Sequence, residues 1–244
     1  MLKTIIFELE GDEDLVLNNF LGYETYSFVL KSVAEINTKK STQYHQKNLK
    51  KPFTVLPPFF YKDCIYMRIN FLEDEIFSLF LSSIFEKKEI DVKKNFKIKK
   101  IFLKPDKNLP SIFKDQLFYY DSLQNETFKK GQKFIIKTIT PFLFKKNNQY
   151  NLNPTFEVIQ NSFYKHQQDI YKKVIFHLPE FQIVQQTIST RKIKLNHFND
   201  YIGGYGFFKI IITKSAKANL YPLTFFGMGL KTSMGLGQIR LIKN

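Results

Sequence analysis

Two stretches of this chain carry the same order of apolar periodicities, strand–helix–strand–strand–helix–strand. That repetition restricts the folds it can reach more than any other feature. In the first stretch, Lys3–Glu10 is short, β-branched and aromatic, and reads as a strand. Asp12, Glu13 and Asp14 then supply cap candidates for a helix over 15–37, with Tyr23, Tyr26, Leu30, Val33 and Asn37 along one stripe. Residues 38–51 are polar and basic without periodicity and read as a loop. Strand patterns follow over Phe53–Tyr61, interrupted by Pro57-Pro58 and so expected at a sheet edge or broken there, and over Cys64–Leu72. A helix behind Glu73-Asp74-Glu75 and a strand over Asn95–Leu103 complete the set. The second stretch repeats it. A strand run over Lys133–Lys145 has Pro141 in its middle, a helix covers 154–175, and strands cover Phe181–Leu195 and 198–213. A short helix follows 215–221, and a last strand covers Gly237–Ile242.

This order is the split βαβ signature. It predicts an α+β chain of tandem ferredoxin-like domains with antiparallel sheets, divided as 1–118 and 119–244, with Pro105, Pro110 and Gly131 in the connection. Helices on one face of each sheet would leave the other face free for a ligand.

Charge points to the class of ligand. The chain has 37 Lys and Arg against 22 Asp and Glu, a net +15, which suits a polyanion, with nucleic acid ahead of an anionic membrane. The Lys-, Asn-, Ile- and Phe-rich composition fits an A·T-rich genome, which accounts for part of the lysine count but not for so few acids. The single cysteine, Cys64, excludes an internal disulfide and a cysteine-based zinc site, and reads as a small hydrophobe. The N-terminal residues lack the apolar core of a signal peptide, and no apolar run approaches a membrane span. A cytoplasmic protein without membrane contact is the expectation.

Four of the ten glycines fall in one stretch near the C-terminus: Gly227, Gly229, Gly235 and Gly237 flank Lys231-Thr232-Ser233. A glycine-rich turn brings backbone N–H groups close to an anion, and Lys231 adds a charge, so the loop reads as a phosphate cradle. Acidic residues are sparse and mostly sit at helix starts, which argues against a two-metal nuclease. No cofactor or metal is expected. Of the four histidines, His166 reads as a surface residue, His177 as a helix end or turn, and His197 as a hairpin residue. His45 differs because it lies in a basic stretch with Lys39, Lys40, Lys47, Lys50 and Lys51. There an imidazole can move a proton beside a bound phosphate.

The terminal Gly-x-Gly-x-Lys-Thr-Ser-x-Gly-x-Gly, together with His45 followed six residues later by Lys51-Pro52-Phe53-Thr54, resembles the CRISPR-associated repeat-processing endoribonucleases. Thr140-Pro141-Phe142-Leu143 and 202–207 match that family's short apolar motifs, so the resemblance spans the chain. It implies tandem ferredoxin-like domains and metal-independent cleavage of CRISPR repeat RNA into guide RNAs. The 2′-OH attacks the adjacent phosphate, leaving a 2′,3′-cyclic phosphate and a 5′-hydroxyl. It further implies His45 as general acid or base and Lys51 as the stabiliser of charge on the phosphate. Where some members place a tyrosine, this chain has Leu30. Tyr26, one turn earlier, is the candidate replacement, and Tyr44 is a further donor. Lys39, Lys40, Lys47, Lys50, Lys231 and the glycine loop would bind the RNA. The same resemblance admits a non-cleaving subunit that holds guide RNA in a complex with other CRISPR-associated proteins, and a homodimer. A remoter reading is a general tandem RNA-recognition protein, for which Gly204-Tyr205-Gly206-Phe207-Phe208 is a partial likeness.

Overall fold

The computed structural model describes residues 1–46, 50–113, 118–120, 126–146, 149–196 and 199–243. Its first half runs β1 (Leu2–Glu10), α1 (Glu13–Asn18), α2 (Gly22–Ile36), α3 (Thr38–His45), β2 (Phe53–Tyr61), β3 (Cys64–Phe71), α4 (Asp74–Ile84), β4 (Glu89–Val92) and β5 (Lys94–Phe102). A 3₁₀ turn (Ser111–Phe113), β6 (Tyr119–Tyr120) and β7 (Glu126–Phe128) lead to the second half. That half comprises β8 (Lys133–Thr138), β9 (Phe144–Lys146), β10 (Gln149–Asn151), α5 (Phe156–Tyr171), β11 (Phe181–Asn196), β12 (Asn199–Ile212), β13 (Ala216–Ala218), α6 (Pro222–Phe226) and β14 (Ile239–Lys243).

Both main sheets are antiparallel and have the same topology. The first is ordered β2-β3-β1-β5-β4 and the second β11-β12-β8-β14, so in each the first strand of the unit lies between the third and the last. This is the tandem ferredoxin-like arrangement that the periodicities predict. The strand β2 is an edge strand, and its register shifts between Leu56 and Phe59, where the two prolines remove ladder donors. The strand continues past them rather than ending. Tyr119–Tyr120 still pairs with β1, whereas Glu126–Phe128 already pairs with β13 of the second half.

The single helix expected over 15–37 is two. Asp12 caps α1 by accepting from the Leu15 N–H at 2.7 Å, and Asn18 and Asn19 turn their side-chain amides back onto the carbonyls of Asp14 and Leu15. Such side chains compete with the helical backbone and end it. The second helix begins at Gly22 because a Cβ there would lie 2.0 Å from the Met234 carbonyl oxygen of the glycine-rich loop. Residues 38–45, expected as a loop, are helical. The Asn37 side chain accepts from the Lys40 N–H at 3.0 Å, and Ser41 and Tyr44 turn inward.

The expectation of a free sheet face holds for only one sheet. In the first sheet, Thr4, Thr54 and Asn70 on the face away from the helices are fully buried. The Thr54 hydroxyl donates to the Phe225 carbonyl at 2.6 Å, and the Asn70 amide reaches the Thr224 carbonyl at 3.2 Å. That face is covered by α6 of the second half, and further along by Phe113 and Phe118 packed with Ile6, Leu56 and Tyr66. In the second sheet, Phe134, Ile136 and Thr138 are buried while Lys133 and Lys137 point outward. Phe208 and Ile210 are likewise buried where Tyr205, Phe207 and Lys209 are part-exposed. One face of this sheet is therefore open. Among the described residues no helix is long and apolar enough to cross a membrane.

Candidate RNA-processing site

The helix α3 ends in His45, whose side chain is exposed, and the chain reaches Lys50 and Lys51 before entering β2. Packing against α2 holds the helix: Ser41 donates to the Leu30 carbonyl at 2.9 Å, and Tyr44 is 7% exposed. The Tyr44 hydroxyl lies 3.4 Å from Glu73, and burial together with the Glu73 and Glu75 charges pushes its pKa far up. It is an anchor for the helix and a poor proton donor. Lys40 is paired with Glu75 at 2.7 Å, Lys39 is exposed, and Lys47 lies outside the described residues, as does His197.

Lys51 is 8% exposed, and its ammonium donates at 2.7 Å to the carbonyl of Gln46, the residue after His45. Burial lowers the pKa of this ammonium and of the Lys50 ammonium. At Lys50, Asp169 opposes the shift while Lys165 and Lys231 reinforce it. Residues from α3–β2, α5 and the glycine-rich loop thus share one electrostatic neighbourhood. Tyr26 is placed otherwise. It is 7% exposed, its ring stacks on Phe53 at 5.8 Å and 26°, and burial raises its pKa. The residue is packed between α2 and β2 and is not presented on the surface with His45.

His166, expected on the surface, is 6% exposed. Its ring meets Phe226 edge-on at 5.3 Å and has a hydrogen bond to the Lys51 backbone. Burial and then the Lys50 charge push its pKa down to about 3, against the opposing effect of that hydrogen bond. It is a neutral ring wedged between the two halves, directly behind the candidate site. The flanking Lys165 and Gln167-Gln168 made this stretch of α5 look solvated. The signal that could have exposed the burial is helical spacing: Ile159, Phe163 and His166 share one face. His177, expected at a helix end or turn, lies instead in the irregular stretch between α5 and β11, exposed, with its carbonyl accepting from the Asn219 N–H at 2.8 Å.

The glycine-rich loop is built mainly by close packing. A Cβ at Gly229 would lie 2.1 Å from the Leu143 carbonyl oxygen, and one at Gly237 would lie 1.9 Å from that of Met228. Loop amides are engaged within the protein: Gly227 to Leu223, Met228 to Gly237, Leu230 to Leu143, Gly235 to Thr232 and Gly237 to Pro141. Gly227 and Gly235 sit at positive φ, as do Gly229 and Gly237. The loop therefore presents Lys231 and Ser233, both part-exposed, rather than a row of glycine amides, and Thr232, expected to touch RNA, is buried at 3% exposure. There Lys231 is itself left-handed (φ 58°), with its ammonium 5.3 Å over the Tyr201 ring. The loop runs alongside β2: α6, which leads into it, is bonded to Thr54 through the Phe225 carbonyl, and Gly235 packs on Pro57.

Near Pro57 a cleft of about 1180 Å³ opens between the halves. Phe20, Tyr23 and Pro58 line one side and Arg191, Lys192 and Lys194 the other. Its lining carries Lys31, Lys93, Arg191, Lys192 and Lys194 against Glu24, Asp91 and Asp200, a basic balance. Among the described residues no three His, Cys, Asp or Glu side chains converge as a metal site would need.

No protein-family model matches the chain, and no curated protein matches it in sequence. Solved structures do. Thermus thermophilus Cas6 (TTHB231) in its product complex superposes with a TM-score of 0.75 at 15% identity, covering 99% of this chain and 100% of that one. A Cas6-related protein of Pyrococcus furiosus gives 0.68 at 14% identity, with 99% of each chain covered. A RAMP protein described as binding different RNA substrates gives 0.62 at 15%, covering 98% of this chain and 99% of that one. At these identities the likeness establishes the fold, over the full length of the chain.

Proposed function

We propose that this protein is an endoribonuclease that binds CRISPR precursor RNA and cleaves it within the repeats, without metal, to give guide RNAs. One observation carries the reading. On a full-length Cas6-like fold, an exposed His45 precedes Gln46, whose carbonyl holds the Lys51 ammonium, and Lys50 shares an electrostatic neighbourhood with Lys231 of the glycine-rich loop. In this reading each half is one domain, divided near residue 118, and the RNA lies along β2 and the glycine loop towards the basic cleft.

His45 takes the proton of the ribose 2′-OH, or protonates the departing 5′-oxygen. An imidazole can serve in either role at neutral pH. The 2′-oxygen bonds to phosphorus, the bond from phosphorus to the 5′-oxygen breaks, and a 2′,3′-cyclic phosphate and a 5′-hydroxyl remain. The ammonium of Lys51, released from the Gln46 carbonyl towards the phosphate, offsets the charge that builds on the non-bridging oxygens. Tyr26 has a packing role.

Cleavage of repeat RNA in EDTA tests this. His45→Ala is expected to stop cutting while RNA is still bound, and a 2′-deoxy nucleotide at the scissile position is expected to block the wild type. Full activity in the variant, or cleavage of the deoxy substrate, removes the mechanism. The burial of Tyr26 and the tethered Lys51 favour one alternative, a guide-RNA-binding subunit that does not cut, which would bind repeat RNA tightly and give no product.

A further inference from the structure

Arg68, in the middle of β3, is 1% exposed and heads the large side chains that are fully buried. It stands in register between Ile6 of β1 and Leu56 of β2, on the sheet face that the second half covers. Its Nη2 donates to Gln238 Oε1 at 2.8 Å, across 170 residues of sequence. Gln238 lies between the glycine-rich loop and β14. Its backbone N–H donates to the Thr140 hydroxyl at 2.9 Å, and its Nε2 faces the carbonyls of Thr232 at 3.4 Å and Leu236 at 3.5 Å.

The chemistry of this chain of contacts is directional. A guanidinium has donors only, so it can hold the Gln238 amide by its oxygen alone, and the NH₂ must then point at the loop carbonyls. Burying an arginine stabilises a fold poorly, because desolvation opposes the attraction, and an apolar pair of similar volume would join the domains as well or better. What an apolar pair cannot do is orient an amide.

We infer that Arg68 and Gln238 are positioning residues: the first domain, through this pair, sets the loop tip Lys231-Thr232-Ser233 in the register in which it meets RNA. This rests on the proposed reading that the loop binds repeat RNA. It also predicts that the first domain acts on the loop through this buried side-chain pair, without any contact between Arg68 and the RNA.

Gln238→Glu separates positioning from packing. A carboxylate keeps Arg68 paired, as an ion pair, so packing alone predicts a melting temperature at or above that of the wild type. It also sets an acceptor against the Thr232 and Leu236 carbonyls, so positioning predicts a loosened loop. In hydrogen exchange, the amides of Met234, Gly235 and Leu236 should exchange at least tenfold faster in the variant, with Ile136 and Leu241 in the sheet unchanged. Affinity for fluorescein-labelled repeat RNA should fall at least tenfold, while the single-turnover rate of bound RNA stays within threefold. Arg68→Met should shift the same amides in the same direction by less. Wild-type exchange in the loop in both variants overturns the inference. So does a loosened loop with unchanged RNA affinity, and so does a loss of protection throughout the molecule, which would assign the pair to the fold alone. Wild-type protein that binds no repeat RNA would instead overturn the proposed function. The exchange rates would still report on the Arg68–Gln238 pair.

Discussion

Replacing Gly229 by alanine distinguishes a glycine loop that exists to be packed from one that exists to leave its amides bare. Gly229 has φ +87°, and the carbonyl oxygen of Leu143 lies 2.1 Å from where a Cβ would stand. That same oxygen accepts the Leu230 N–H at 2.8 Å, so displacing it breaks a backbone bond. Gly131 supplies the control, with φ +88° and nothing within 4 Å of its added Cβ. Both substitutions place alanine in the left-handed region, which costs about 1–2 kcal/mol. Only Gly229→Ala adds about 0.5–1.5 kcal/mol for a lost hydrogen bond and about 1–3 kcal/mol for overpacking. The gap between the two variants is therefore about 1.5–4.5 kcal/mol, the sum of those two contributions. For a chain of this length that corresponds to roughly 3–18 °C in Tm. Thermal melts followed by circular dichroism, with urea titrations for the free energies, measure it. Equal destabilisation by the two alanines would refute the packing account of the loop.

Three further outcomes follow from particular side chains. His166 has a folded pKa of about 3 against 6.5 when unfolded, so only the unfolded state takes up its proton between those values. Stability should therefore fall with decreasing pH through that window, and His166→Gln should flatten the slope by about 1.4 kcal/mol per pH unit in urea titrations. Lys231→Ala should reduce the salt dependence of repeat-RNA binding, log Kd against log[salt], by about 0.7, the value for one lost phosphate contact on a single strand. An unchanged slope would remove Lys231 from the interface. Tyr26→Phe keeps the ring on Phe53 and should leave the cleavage rate within about threefold, whereas a catalytic phenol would cost about 10²–10⁴-fold.

Sheet topology was readable because each strand alternates and each unit repeats, and both are local properties of the chain. The helix α3 was not readable, because only Ser41 and Tyr44 of its eight residues are buried, so it has no apolar stripe. Its one local sign was Asn37 as a cap, and that residue also extends the stripe of the helix before it. The covered face of the first sheet was hidden for a different reason. Thr4, Thr54 and Asn70 look like solvent-facing polar residues, and the Phe225 and Thr224 carbonyls that satisfy two of them lie more than 150 residues away. At the candidate site, the histidine and lysines were visible by type and spacing. The inward turn of Lys51 onto Gln46 was not, since a lysine in a polar stretch carries no local sign that a backbone carbonyl takes its ammonium.

The placement of His166 changes where the candidate site belongs. His45, Lys50 and Lys51 are all residues of the first half, and by sequence the cutting chemistry lay wholly at that end of the chain. Yet Lys51 is held by two hydrogen bonds: its ammonium donates to the Gln46 carbonyl, and its backbone is joined to His166 in α5. His166 in turn is backed by Phe226, at the end of α6, one residue before the glycine-rich loop begins. The second half therefore both supplies the loop proposed to hold RNA and braces the segment proposed to cut it. Two ferredoxin-like units joined by a free linker could not keep Lys51 and Lys231 in fixed relation. The buried rows between the sheets, Thr54 to Phe225 and Arg68 to Gln238, make that relation rigid. If the site acts on RNA as proposed, its assembly requires both halves folded and docked first.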